Sequence, residues 1–307
     1  MIEIELWVVL AVGAGLAQTT RNVVAQSLAA RISPALNSWS RFAFALPLAA
    51  AACLLSMAGS GIPTLPASFY GFCLLTAVSQ LFGNVTLVAA FRAGGFGEAI
   101  VFHKLEVILT ALVGALLFAE TPSPLGAAGI VLCAVGVIAI NLARESEDRR
   151  WRRAFAFGRS GRLALLCAAL LVIASFAIKQ ASRIVSGVND GIAVGSFGAP
   201  VQTLFHTTWM EVVLLSAWVA IREPGGFRPV RRHWRRMMLI GGTGFAASMG
   251  WFWAFSLTFV AYVKAIGQIE ILFAVLLGIR LLGERTLIRQ LPGVLLVTLG
   301  IVGVLLG

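Results

Sequence analysis

The chain has 307 residues, of which 59% are hydrophobic and only 12% charged, and its mean hydropathy is +0.92. A water-soluble globule of this size has no way to hide so much apolar surface, and the same figures exclude a disordered chain. The net charge of +11 is concentrated in two short loops between apolar runs, which speaks for orientation against a membrane and against a nucleic-acid partner.

Taken in order, apolar runs of spanning length fall at 6–28, 36–57, 67–90, 96–118, 124–142, 162–183, 192–220, 237–258, 261–282 and 287–306. About 20 residues suffice for one helical crossing. The runs are unbroken, unlike the alternating strands of a membrane β-barrel. The expectation is an all-α, polytopic membrane protein with ten transmembrane helices. The first run follows no basic n-region and no obvious cleavage site, so it reads as a retained span. Connections such as 59–66, 120–124 and 283–292 carry Pro or Gly and read as helix stops followed by restarts. Pro200, within GSFGAP (195–200), is placed to kink or interrupt its span. Gly83, Gly114, Gly244 and Gly250 read as close-packing positions. Cys53, Cys73, Cys133 and Cys167 all lie in apolar runs without CxxC spacing, and read as small buried hydrophobes rather than disulfide partners or zinc ligands.

The chain repeats itself. At an offset of 164 residues, Ala90-Phe91 falls on Ala254-Phe255, Glu106 on Glu270, Gly114 on Gly278, Glu120 on Glu284, Gly129 on Gly293 and Gly136 on Gly300. Residues 1–142 then form one five-helix repeat, 143–161 a basic loop, and 162–307 a second five-helix repeat. An odd number of spans per copy threads the second copy the other way up. Inverted repeats of this kind are an architecture of secondary transporters, in which two halves rock about a central site.

The stretches LTALVGALLFAETPSPLGAAGIVLCAVGVIAI (109–140) and LFAVLLGIRLLGERTLIRQLPGVLLVTLGIVGV (272–304) resemble the closing halves of two EamA domains of the drug/metabolite transporter superfamily. The shared pattern is an apolar helix ending in Gly-Glu or a similar pair, a short polar turn and a Gly-spaced final helix. Here the pairs are Ala119-Glu120 and Gly283-Glu284. Where many members place a proline 13 residues before the turn Glu, this chain has Val107 and Ile271, preceded by Glu106 and Glu270. The resemblance implies ten helices around a central cavity, a bacterial inner-membrane location, and export of a small metabolite. It also implies both termini inside.

The charges argue the opposite orientation. The loop 143–162 holds seven arginines and 221–236 holds six, whereas the connections after spans two, four and eight hold none. The positive-inside rule then puts odd-numbered connections in the cytoplasm and both termini outside.

Charge within a span costs on the order of 3 kcal/mol even on a lenient scale, so such residues are candidates for function. Span four carries FHKLE (102–106). On a continuous helix His103 and Glu106 share a face, while Lys104 and Glu106 lie about 160° apart. Span nine carries Lys264 and Gln268 on one face, with Glu270 turned away. Lys104 and Lys264 suit an anionic group on a substrate; Glu106 or Glu270 suits a cation or a proton. Buried Lys–Glu pairs that fix packing remain the alternative. His103 is a candidate proton carrier. Arg41, Lys179 and Glu211 are placed to complete a polar site, with Trp251, Trp253, Phe91 and Phe255 as apolar walls. Arg21, Arg183 and Glu98 lie near span ends, where they can snorkel. Glu120 and Glu284 read as residues that start or staple the next helix.

No P-loop, HExxH or GxSxG is present, so neither ATP-driven transport by this chain alone, nor a metal or other cofactor, nor an enzyme is expected. The expected function is secondary transport, by alternating access, of a small charged or zwitterionic metabolite such as an amino acid or organic acid. A flippase for a lipid-linked sugar, or a drug exporter, is the alternative. The expected partners are the small-molecule substrate, membrane lipids and, for a coupled carrier, protons. The expected state is a monomer or homodimer.

Overall fold

The computed structural model describes residues 5–28, 31–93, 96–143, 158–189, 195–273 and 289–307. Its helices are α1 Leu6–Leu28, α2 Pro34–Ala43, α3 Leu46–Ser60, α4 Ala67–Ala93, α5 Phe96–Lys104, α6 Glu106–Phe118, α7 Pro124–Leu142, α8 Arg159–Val188, α9 Gly195–Arg222, α10 Arg228–Leu257, α11 Val260–Gly267 and α12 Leu291–Leu306. No strand occurs among the described residues. Among the described residues seven segments are long and apolar enough to cross a membrane, and α12 is a shorter apolar helix. Large apolar side chains such as Leu55, Leu116 and Leu117 stand exposed. In a bilayer they meet hydrocarbon, so their exposure carries no penalty. The protein is an all-α, multi-pass membrane protein.

Three spans read as continuous are in fact interrupted. Span two breaks at Phe44-Ala45, just ahead of Pro47, whose ring suits only a helix start. Span nine breaks at Gln268, directly after Gly267, and residues 269–273 are helical again. Span four breaks at Leu105 with neither Gly nor Pro beside it. By contrast α9 runs on through Pro200, so the interruption that this proline could have caused does not occur.

The chain folds as two compact units, Met1–Val78 with Ala177–Leu257, and Ser79–Phe176 with Thr258–Gly307. Each draws on both halves of the sequence, so the compact units are not the sequence repeats.

In the first unit α1 lies along α10, and α2 and α3 pack on α9 and α10. Close approach depends on glycine. A Cβ at Gly250 would come within 2.9 Å of the Ala14 Cβ and the Leu10 carbonyl, and one at Gly241 would strike Phe44 at the α2–α3 break. Leu28, Ile32, Leu36, Met237 and Ile240 form one core; Phe69, Cys73, Ala77, Ala181, Val185, Ala199 and Met210 form another.

In the second unit the dominant packing is α7 against α12. A Cβ on Gly129 would meet the Gly300 carbonyl at 2.6 Å, and one on Gly136 would meet Val297 N at 2.6 Å and the Gly293 carbonyl at 2.8 Å. As the number rises along α7 it falls along α12, so the two helices are antiparallel. Gly129 and Gly293 are repeat equivalents, as are Gly136 and Gly300. Gly129 meets Gly300, and the equivalent pair, Gly293 and Gly136, meet in the same way. Two copies related by inversion in the membrane produce this pattern. All four cysteines are free and buried.

Two carboxylates near span ends cap helices. Glu98 Oε1 accepts from Gly158 N at 2.8 Å and Gly161 N at 2.7 Å, at the start of α8. It therefore does not snorkel. Glu120 Oε2 accepts from Val260 N at 2.9 Å, at the start of α11. Its role is structural, but the helix it caps belongs to the other repeat. The helix that follows it, α7, is capped by the Ser123 hydroxyl. Both arrangements satisfy orphan N–H groups and place negative charge at the positive end of a helix. Ala119, just before Glu120, takes the left-handed conformation (φ 54°) that glycine adopts at lower cost. Glu284 and its Gly283 lie outside the described residues.

Orientation is open to a direct check. Five of the seven arginines of the 143–162 loop lie outside the described residues, but Arg231 and Ile62 are both exposed. From the arginine asymmetry, Arg231→Cys should react with a membrane-impermeant maleimide only from the cytoplasmic side, and Ile62→Cys only from the outside. The reverse pattern would place both termini in the cytoplasm.

Candidate functional site

The breaks in spans four and nine come together inside the second unit. Lys104, the last residue of α5, donates from Nζ to Gln268 Oε1 at 3.2 Å. Gln268 Nε2 donates to the Lys264 carbonyl at 3.0 Å, which fixes the orientation of the amide. Lys264, on α11, forms an ion pair with Glu106, the first residue of α6, and donates a hydrogen bond to its Oε1. These two side chains are only 16% and 12% exposed. His103 Nδ1 lies 3.6 Å from Cys167 Sγ on α8. His103 and Lys104 also lie within electrostatic reach of Glu106.

Lys104 and Gln268 are separated by 164 residues, so each is the repeat equivalent of the other. Contact between a residue and its own equivalent can occur only beside the axis relating the copies. Cys133 and Val297 are a second such pair, with the Cys133 Sγ 3.7 Å from the Val297 carbonyl. The polar cluster and the glycine seam therefore share one pseudo-two-fold axis.

The expected opposition of Lys104 and Glu106 does not hold, because it assumed a continuous helix. The break at Leu105 lets both side chains join one group. Of the sequence-predicted residues, His103, Lys104, Glu106, Lys264 and Gln268 are brought together. Glu270 is half-buried in the helical turn beyond the break.

Arg41, Lys179, Glu211 and Trp251 belong to the first unit. Arg41 on α2 and Glu211 on α9 attract each other electrostatically without reaching ion-pair distance. Arg41 Nε and Glu211 Oε1 each lack a hydrogen-bond partner among the described residues. Gln202, Thr203, Thr207 and Thr208 are also buried on α9. Lys179 is buried on α8. Trp251 Nε1 donates to Gln18 Oε1 at 3.3 Å, joining α10 to α1, and its ring stacks near Phe255. Trp253 sits edge-on to Phe197. The Trp251–Gln18 and Trp253–Phe197 contacts are contacts between helices. Among the described residues no three His, Cys, Asp or Glu side chains converge as metal ligands.

A sequence model of the EamA-like transporter family matches the chain twice, over residues 5–142 and 162–306. The chain belongs to the EamA-like transporter family. This EamA-like protein is thus a transporter of the drug/metabolite type. No curated protein matches it. A solved structure, described only as the crystal structure of a protein, aligns with TM-score 0.69 and 17% identity, over 97% of this chain and 96% of that one. That likeness is one of fold.

Sequence reasoning missed the approach of Cys167 to His103 and the buried polar residues Gln202, Thr203, Thr207 and Thr208 of α9. The Lys104–Gln268 contact had a visible signal, since the two align at the offset that aligns Glu106 with Glu270. Their unlike chemistry hid it.

The assembly can offer a cation, a carboxylate and an amide to one small polar molecule. It can also trade its internal Lys264–Glu106 contact for contacts with a ligand.

Proposed function

We propose that this EamA-like transporter is a secondary carrier, working by alternating access, that exports a small charged or zwitterionic metabolite such as an amino acid or organic acid across the bacterial inner membrane. The observation that carries this reading is the Lys104–Gln268–Lys264–Glu106 group at two helix breaks on the repeat axis. Charges at such a depth cost several kcal/mol unless paired or hydrated, and helix breaks inside membrane proteins are tolerated where they line a cavity or are buried in protein. Both kinds of charge occur in the group, which suits a substrate with an anionic group better than a greasy cation. The Glu106 carboxylate is the group we assign to a proton or to a substrate ammonium.

The test is flux in proteoliposomes across a panel of amino and organic acids, with and without an imposed proton gradient. Lys104→Met is expected to reduce substrate binding at least tenfold while the thermal midpoint stays unchanged, because the partner it leaves is a neutral amide. Flux that follows the proton gradient supports coupling; flux indifferent to it leaves facilitated diffusion. Normal affinity in Lys104→Met removes this lysine from the site.

A further inference from the structure

The first turns of α10 carry five arginines that neither the helix packing nor the polar cluster uses. Arg228, Arg231, Arg232, Arg235 and Arg236 are all exposed. At 100° per residue they fall within an arc of about 140°. The opposite side of α10 is buried: Met237 and Ile240 pack into the core with Leu28, Ile32 and Leu36. The arginine face is therefore the outward face of the helix.

That face continues into an apolar one. Met238 and Leu239 are 52% and 58% exposed and lie within one turn of Arg235 and Arg236. The apolar run 237–258 reads as a span from its sequence, and exposed apolar residues on such a run face hydrocarbon, which puts the arginines one turn earlier at the depth of the phosphates. Trp234, 45% exposed, lies beside them with the Arg235 guanidinium 5.5 Å from its ring, and an aromatic at this depth marks the interface.

The positive charge is not neutralised from within. From Arg228 to Leu257 α10 has no acidic residue. None of the five arginines forms an ion pair with a described residue. Glu223, the acid just before the helix, accepts a hydrogen bond from the Ser33 hydroxyl at 2.5 Å. A solvated loop with lysines would satisfy orientation alone. Arginine differs in presenting a planar fork that binds phosphate oxygens bidentately.

We propose that the Arg228–Arg236 face of α10 is a binding site for the phosphodiester headgroups of anionic phospholipids. The acyl chains run down the Met238–Leu239 face. The occupant is a lipid and not a free anion, because the arginine stripe and the hydrocarbon-facing stripe are one surface. A juxtamembrane cluster of four to eight basic residues has the attraction such a site needs.

The full-length protein is titrated in detergent with phosphatidylglycerol and with phosphatidylcholine, and bound lipid is counted by native mass spectrometry. Phosphatidylglycerol should bind in preference. Each arginine replaced by glutamine should weaken that binding on the order of fivefold, and R231Q/R232Q/R235Q/R236Q should abolish the preference. The corresponding four-lysine variant should keep only part of it, because lysine supplies the charge without the bidentate fork. All four positions are exposed, so the thermal midpoint in neutral detergent reports whether the variants fold. Undiminished phosphatidylglycerol preference in a folded four-glutamine variant would overturn the proposal. So would displacement of the lipid by millimolar inorganic phosphate, which would make the patch a free-anion site.

Discussion

Replacing Lys264 with methionine is expected to cost roughly 3–5 kcal/mol of stability, the largest loss of any single polar substitution considered. The change leaves the Glu106 carboxylate, about nine-tenths buried, without its cation. The double variant K264M/E106Q removes both charges and is expected to recover most of that loss, because a neutral amide costs far less to bury. Thermal unfolding in detergent, run on wild type, both single variants and the double, gives the coupling between the two residues. A Lys264→Met protein no less stable than the double variant would show that the pair contributes little in this membrane setting. The same four proteins separate packing from transport. If the pair serves the carrier, the double variant is folded but inactive. If it serves packing alone, restored stability brings restored flux.

A comparable loss is expected in the α7–α12 seam. Gly136→Val places a Cβ 2.6 Å from Val297 N and 2.8 Å from the Gly293 carbonyl. Both are backbone atoms, so no side chain can swing aside, and the helices must separate. Overpacking of this kind costs about 1–3 kcal/mol, more where backbones are in contact. The equivalent change, Gly300→Val, meets Cys133 N at 2.6 Å and the Gly129 carbonyl at 2.7 Å, and should cost a similar amount. Gly13→Ala, Gly71→Ala and Gly242→Ala, where nothing lies within 4 Å, serve as controls and should be neutral or slightly stabilising. Equal tolerance at Gly136 and Gly242 would contradict the close seam.

Most of the fold was legible before the structure. The span 124–142 coincides with α7, and 6–28 with α1, because long apolar runs bounded by Pro, Ser and charged residues permit little else. The interruptions were harder. Pro47 and Gly267 are ordinary breakers, but a proline or glycine is common in membrane helices, and Pro200 shows one that does not stop its helix. Nothing local marks Leu105. That break brings Lys104 and Glu106 into one group, a tertiary relation that periodicity along one helix does not encode. For the site, composition picked out the charged residues within spans. Their grouping depended on the breaks, so the angle computed for an unbroken span four separated two residues that belong together. Glu98 and Glu120 were assigned locally although each caps a helix distant in sequence.

The contact of Gly129 with Gly300, mirrored by that of Gly293 with Gly136, makes the seam isologous: each helix offers the other the surface it receives. A single-copy ancestor with one such helix would already carry everything needed to pair with an oppositely inserted twin. Gene fusion would then have preserved an existing dimer contact without inventing a new one.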